Sequence, residues 1–348
     1  MAIEWRVSLL DTQDRELGRD FKIRGGSLSW SIFNAVAGTG QVEVTEKRDN
    51  PIDPDTVRFA VTRAVVEIAD PPEPEPFGIW IPVAPSSEID LARDLQRTTF
   101  SMTDKTGLLN RQIGRWISAS TVVPVTTQVR QICADVGETL TAIVDSSATL
   151  STAIVPEPED TWLQHANNLL KAIGYGSIEA DLHGRLSAAP YVDPESRPLV
   201  GTYGDLPGDL KLKQMIPHEA PTYEVPNVVR IIVPATDTSP GFIGEARNDD
   251  PASPLSTVSR GERTLVEQGE AVSQAIANQI AARRLAEASQ VTERHTITHP
   301  PNATSLNSRV EIRPLGASGT VVNREVRFGI GAVVTDVVRR VWGGGSWR

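Results

Sequence analysis

Five histidines, one cysteine and 44 carboxylates are the first side chains in this 348-residue chain to weigh for metal binding, nucleophilic attack or proton transfer. His295 and His299 have the i, i+4 spacing that can chelate a metal on a helix. They lie in Val291-Thr292-Glu293-Arg294-His295-Thr296-Ile297-Thr298-His299, whose β-branched residues favour a strand, where four steps separate the two rings by about 13 Å. That spacing suits no single ion. His183 and His218 sit among turn formers with no cysteine close by, and no His-Glu-x-x-His motif occurs. Ser101-Met102-Thr103-Asp104-Lys105 places its lysine four residues after the serine, one too many for Ser-x-x-Lys, and there is no Gly-x-Ser-x-Gly elbow. Gly174-Tyr175-Gly176 and Gly329-Ile330-Gly331 lack the third glycine and the strand-to-helix setting of a nucleotide-binding loop. The acid pairs Glu159-Asp160 and Asp249-Asp250 fall at a helix start and a loop tip, where the helix dipole or solvent accounts for them. No catalytic residue, cofactor site or metal site is predicted.

The elements around these residues are short and β-rich. Ile3, Trp5, Val7 and Leu9 alternate with polar neighbours, as do Val42-Glu43-Val44 and, less cleanly, residues 57–68, which predicts strands with one buried face. Gly25-Gly26, Gly38-Thr39-Gly40 and Asn50-Pro51-Ile52-Asp53-Pro54 read as turns between them. The acidic proline run 71–76 reads as a stiff loop before a further strand at 77–83. Residues 1–115 thus form a small antiparallel barrel or sandwich. Val129, Ile132, Cys133 and Val136 then recur at helical spacing, with Thr126 or Thr127 as N-cap and Gly137 as stop. Cys133 falls on the apolar stripe with no His or Arg on that face to activate it, so it reads as a small core residue.

A second helix starts at Asp160-Thr161 and ends at Gly174, with Trp162, Leu163, Ala166, Leu169, Leu170 and Ile173 inward and His165 one step off the stripe, solvated or at its boundary. Asp181-Leu182-His183-Gly184 reads as a hairpin tip between 177–180 and 185–188. Further on, residues 225–233 are a strand and 234–259 a long exposed loop. Residues 270–289 are an Ala-rich helix with Val272, Ala275, Ile276 and Ile280 on one side. Strands follow at about 291–299, 308–314 and 319–340, and residues 342–348 are a flexible tail or a docking peptide.

Composition narrows the function classes. The formal net charge is −10, divided as −6, −5 and +1 over residues 1–110, 111–220 and 221–348, so no part is basic enough to grip nucleic acid through its phosphates. The last third nevertheless contains 14 arginines and no lysine, which suits protein interfaces. No stretch approaches the roughly 18 apolar residues of a membrane span, and the first ten residues do not resemble a secretory signal. A single cysteine points to folding in a reducing cytosol.

Several stretches carry a family resemblance. They are Thr99-Phe100-Ser101-Met102-Thr103-Asp104-Lys105-Thr106-Gly107-Leu108-Leu109, the helix from Val125 to Gly137, Asp160-Thr161-Trp162-Leu163 through Leu169-Leu170-Lys171-Ala172-Ile173-Gly174-Tyr175, and Asp181-Leu182-His183-Gly184-Arg185-Leu186 leading to Pro190-Tyr191-Val192. With Arg197-Pro198 and Tyr223-Glu224-Val225-Pro226-Asn227-Val228-Val229, their order resembles the baseplate-hub, or tail-tip hub, minor tail proteins of long-tailed siphophage-type bacteriophages, especially those of actinobacteria. The match is firmest over residues 90–240.

The resemblance implies an α+β, β-rich fold in which two tube-like β-barrel or sandwich domains, 1–115 and 206–348, flank a smaller α+β domain, 116–205. It also implies a homotrimeric ring that adapts the six-fold tail tube to a three-fold tip. Its expected partners are the distal tail ring protein, the tail tube, the tape-measure protein and tip or fibre proteins, with DNA passing through unbound. Assembly would take place in the host cytoplasm and the final location would be the virion. Two other classes compete: a tail-associated cell-wall or polysaccharide hydrolase using Asp249 or Asp250 with a second acid, and a carbohydrate-binding module. The seven tryptophans at 5, 30, 80, 116, 162, 342 and 347 are scattered rather than clustered, and most fall on strand or helix apolar positions, which favours core roles over a sugar platform.

Overall fold

Alternating apolar and polar side chains turn the first hundred residues into six strands: β1 (Ala2–Leu10), β2 (Lys22–Ser31), β3 (Gly38–Lys47), β4 (Arg58–Val66), β5 (Glu75–Asp90) and β6 (Leu95–Asp104). The structure is a computed structural model that describes residues 2–18, 22–66, 73–192, 196–212, 216–219, 224–235, 241–268, 273–288, 291–302, 304–328 and 333–342. After β6 a 3-10 turn, Lys105–Leu108, leads to α1 (Val125–Asp135), β7 (Thr141–Ile143), α2 (Trp162–Ala172), β8 (Glu179–Ala180), β9 (Leu186–Ala188) and β10 (Leu199–Tyr203). Next come β11 (His218–Glu219), β12 (Val228–Val233), β13 (Phe242–Arg247), α3 (Thr257–Arg260), β14 (Thr264–Gln268) and α4 (Gln274–Ala288). Four longer pieces follow: β15 (Val291–His299), β16 (Arg309–Ile312), β17 (Ala317–Phe328) and β18 (Val333–Trp342). The protein is thus β-rich with few helices, in the α+β class.

The chain divides into two compact units, the first comprising Met1–Lys213, Ile297–Gly316 and Thr320–Val337 and the second Gln214–Thr296, Ala317–Gly319 and Val338–Arg348. In the first unit the sheet runs β1-β4-β5-β6-β3-β2-β17 and on to those parts of β18 and β15 that belong to it, 333–337 and 297–299, and β10 joins it by parallel pairing with β16. One face buries Leu28, Val42, Phe59, Phe77, Trp80 and Phe100. Each large side chain removed from water there contributes about 1.5–3 kcal/mol. A second core in this unit packs α1 on α2 through Val129, Cys133, Leu163, Ala166, Leu169 and Leu170, with β7, β9 and β8 as a small sheet alongside.

In the second unit β12 lies between antiparallel β13 and parallel β14. Helix α4 packs Ala281 and Leu285 on Val229 and Ile231. Gly244 is required beneath that helix, because a Cβ there would meet the Ala277 carbonyl at 2.2 Å.

Several sequence expectations fail for identifiable reasons. Gly25-Gly26 and Gly38-Thr39-Gly40 are not turns: the first lies inside β2 and the second begins β3. A Cβ on Gly26 would meet the Phe328 ring at 2.3 Å and the Gln41 carbonyl at 2.4 Å, so the glycine serves close approach. Helix α1 starts after Pro124 with no side-chain cap, while Thr126, expected as a cap, is buried and donates its hydroxyl to the Ser146 carbonyl at 3.2 Å. The expected loop 234–259 contains β13 and α3, with residues 236–240 outside the described set. On α4 the buried residues are Ala277, Ala281 and Leu285, whereas Ala275 and Ile276 are exposed and Val272 is not described. Small side chains let that helix approach the sheet closely, which apolar character alone does not reveal. The strand expected over 319–340 is two strands, β17 and β18, and residues 71–72 and 343–348 lie outside the described residues. Trp116 is 67% exposed rather than in a core.

Candidate functional site

Asp336 stands between Val334 and Val338 on β18, so the two-residue period of a strand turns all three inward, and all three are buried. A carboxylate in that position must find partners, and its Oδ2 finds His299 Nε2 at 2.9 Å and Arg324 at 3.4 Å. His299 Nδ1 lies 2.7 Å from the Pro300 carbonyl. Both ring nitrogens of His299 are thus engaged, one by a carbonyl and the other by the carboxylate. Arg324 also donates to the carbonyl and side-chain oxygens of Asn302, and Asn302 Nδ2 donates to the Tyr203 hydroxyl at 3.2 Å. Burial, followed by the charge of Asp336, raises the Tyr203 hydroxyl above its ordinary value. The network ties β10, β15, β17 and β18 of the first unit together. It orients and satisfies its members, but its atoms face one another.

A second buried group was invisible in the sequence. Lys105, fully buried in the 3-10 turn, sits among Asp14, Glu138 and Arg58: its ammonium pairs with Asp14 and lies 2.8 Å from Glu138, while Arg58 lies 2.7 Å from Asp14 and 3.0 Å from Glu138. Two cations and two anions compensate one another where any one alone would be costly. They join loops that follow β1 and α1 to β4 and the turn after β6.

The residues singled out for chemistry are dispersed. His295 and His299 do share β15, as a strand. His295 lies 3.7 Å from Glu293, and its position on β15 pairs with that of His218 on β11. His183 is exposed at the hairpin tip, where Asp181 Oδ1 accepts its backbone N–H at 2.9 Å and Gly184 adopts φ +75°. His165, expected at the boundary, is buried on α2. The Cys133 thiol is buried and pushed up to about 12, first by desolvation and then by the charge of Glu138, which leaves it a core residue. Asp249 accepts from the Thr257 hydroxyl and lies 3.4 Å from Arg247, and Asp250 accepts the Ala252 N–H at 2.9 Å, so both acids organise a loop. Asp160 likewise accepts the Glu157 N–H at 3.0 Å. Gly174 ends α2 at φ +73°, and Gly329-Ile330-Gly331 is outside the described residues. Among the described residues no group of three or more His, Cys, Asp or Glu is placed to hold a metal ion, and no helix is long and apolar enough to cross a membrane.

What the first unit does present is a cleft of about 990 Å³. Its walls come from the loop after β2, the exposed side of α2, and the segments around β9, β10 and β16. Phe33 and Tyr191 show more than half their surface to solvent there, with Lys171, Arg197 and Arg309 around them. Arg197 is braced by the carbonyls of Val192 at 3.1 Å and Asn307 at 2.7 Å. Glu179 forms part of the floor, hydrogen-bonded by Asn307 at 2.7 Å, and burial raises its carboxyl above the ordinary range. The cleft thus sets exposed aromatic rings beside cationic side chains, of which Arg197 is held by two carbonyls.

No family model and no curated protein sequence matches the chain. Solved structures do match in fold. A tail protein from Neisseria meningitidis MC58 superposes with a TM-score of 0.59 at 13% identity, covering 97% of this chain and 96% of its own. The 43 kDa tail protein of prophage MuSo2 from Shewanella oneidensis gives 0.58 at 15% identity, over 95% of this chain and 97% of its own. An Escherichia coli component of the type VI secretion system, described as structurally similar to the bacteriophage T4 tail proteins gp27 and gp5, gives 0.51 at 9% identity, over 98% of this chain and 77% of its own. The chain therefore shares its fold, over almost its whole length, with tail proteins.

Proposed function

We propose that this chain is a structural component of a bacteriophage tail tip, the hub ring through which the tail tube meets the tip. The observation that carries this reading is the likeness in fold to two tail proteins, each covered end to end along with this chain. Three copies form the ring. In each, the segments 1–115 and 206–348 act as tube-like β-domains on either side of 116–205, so that six such domains meet the six-fold tube above and three-fold tip or fibre proteins below. The distal tail ring protein, the tail tube and the tape-measure protein are its neighbours. It is built in the cytoplasm of the host and stays in the virion. The siphophage and actinobacterial association rests on the sequence stretches alone.

The ring lines the passage for the genome. Three copies at −10 each carry −30, and an acidic wall lets DNA slide past without the phosphate contacts that a basic one would make. The role is non-enzymatic: the acids a hydrolase would need, Asp249 and Asp250, hold their own loop. Quantitative mass spectrometry of purified tails tests the proposal. A threefold copy number per tail is expected; many copies per tail, or none, defeats it.

A further inference from the structure

Strand β5 outruns its neighbour. It pairs with β4 only between Phe59↔Trp80 and Arg63↔Glu75, then continues against β6 alone as far as Asp90↔Leu95. Every residue from 83 to 94 is exposed, including Ile89 at 53% and Leu91 at 76%. The tip is nonetheless built: the Asp90 carboxylate accepts the N–H groups of Ala92 at 3.0 Å and Arg93 at 3.2 Å, and Asp94 takes φ +51° to close the turn. Glu88, Asp90, Arg93 and Asp94 give it a net charge of −2. A preformed arm that displays leucine and isoleucine to water, ringed by acids, has the form of a docking element.

The cleft described above is its complement in both respects. It offers apolar side chains, Phe33 at 56%, Tyr191 at 61% and Val200 at 58% exposure. Among the described lining residues, Lys171, Arg197 and Arg309 stand against Glu179, a net charge of +2 with the glutamate ionised. Lys171 has no ion-pair partner among the described residues. Arm and cleft both leave apolar side chains open to solvent in the single chain, and Glu88 there has only a 3.9 Å contact with Arg97.

We infer that the β5–β6 tip of one copy docks in the α2–β9–β10 cleft of the next copy, with Ile89 and Leu91 against Phe33, Tyr191 and Val200, and Glu88 near Lys171. This rests on the ring proposed above and deepens it by naming the contact. Copies of a chain with charge −10 repel one another, so self-association needs a place where opposite charge meets locally, and the cationic cleft provides one for the anionic tip. Because the two surfaces differ, the contact runs head to tail and can close around three copies, leaving no arm unseated.

Cross-linking in assembled tails tests this, and the buried Cys133 leaves the background low. Copies carrying Leu91→Cys and copies carrying Phe33→Cys are co-expressed during tail assembly, and the purified tails are oxidised. Cross-linked pairs are expected only in the mixture, and a three-membered ladder is expected when both substitutions share one chain. Lys171→Glu alone or Glu88→Lys alone should lower the yield roughly two- to fivefold, as for an exposed ion pair, and the two together should restore it. Tails that contain the chain but give no mixed pair, or in which Phe33→Cys links to a different component, overturn the inference while leaving the hub proposal standing. Tails that lack the chain altogether defeat the proposal itself.

Discussion

Asp336 is fully buried, and its one hydrogen-bonded carboxylate oxygen depends on His299 and Arg324. Asp336→Ala should therefore cost about 3–5 kcal/mol, the range for removing one partner of a buried ion pair, because it leaves the buried Arg324 guanidinium without its carboxylate. Denaturant unfolding measures this, and a loss below about 1 kcal/mol would contradict the network. A second residue-scale prediction concerns pH. Burial lowers the proton affinity of His165 below its ordinary value of 6.5, and the charge of Asp160 only partly opposes this. The folded chain keeps the ring neutral where the unfolded chain takes up a proton. The contribution is thus fully present above about pH 6.5 and is lost as pH falls toward the lowered folded value. Between pH 7.5 and 5.5 the wild-type chain should lose more stability than His165→Gln, and equal losses would show that the ring is solvated.

At the scale of elements, the glycines of β2 and β3 decide whether strands can approach. Gly26→Ala should destabilise by about 1–3 kcal/mol, the usual cost of overpacking, since its Cβ collides with the Phe328 ring and with the backbone oxygen of Gln41. A thermal melt reads this, and an unchanged midpoint would mean that β2 and β17 are less tightly apposed than the structure has them. The same position shows what sequence conveys. Period-two alternation located β1, β3 and β4, helical spacing located α1 and α2, and Asp181 with Gly184 located the β8–β9 hairpin. Glycine signals were ambiguous because one residue type serves both left-handed turns and close strand contacts. His165 was misplaced because a polar residue beside a stripe gives no sign of what covers it. Asp336 carried a readable signal, an acid on the inward face between Val334 and Val338. Lys105 carried none, since its partners Asp14 and Glu138 are distant in sequence. The cleft, assembled from segments far apart in sequence, was equally unreadable.

At the scale of the whole molecule, the near end-to-end likeness to tail proteins and the acidic balance bear on one assembly. In the ring proposed above, charge that would keep DNA from adhering to a passage would also keep copies apart, so closure would rest on a few complementary surfaces rather than on general attraction. A density map of the intact tail tip tests the hub role most directly. It should show three copies of this chain in one closed ring between tube and tip, with carboxylates facing the channel. A map in which the chain is absent from the tip, repeats along the tube, or forms a ring with a basic channel would contradict it.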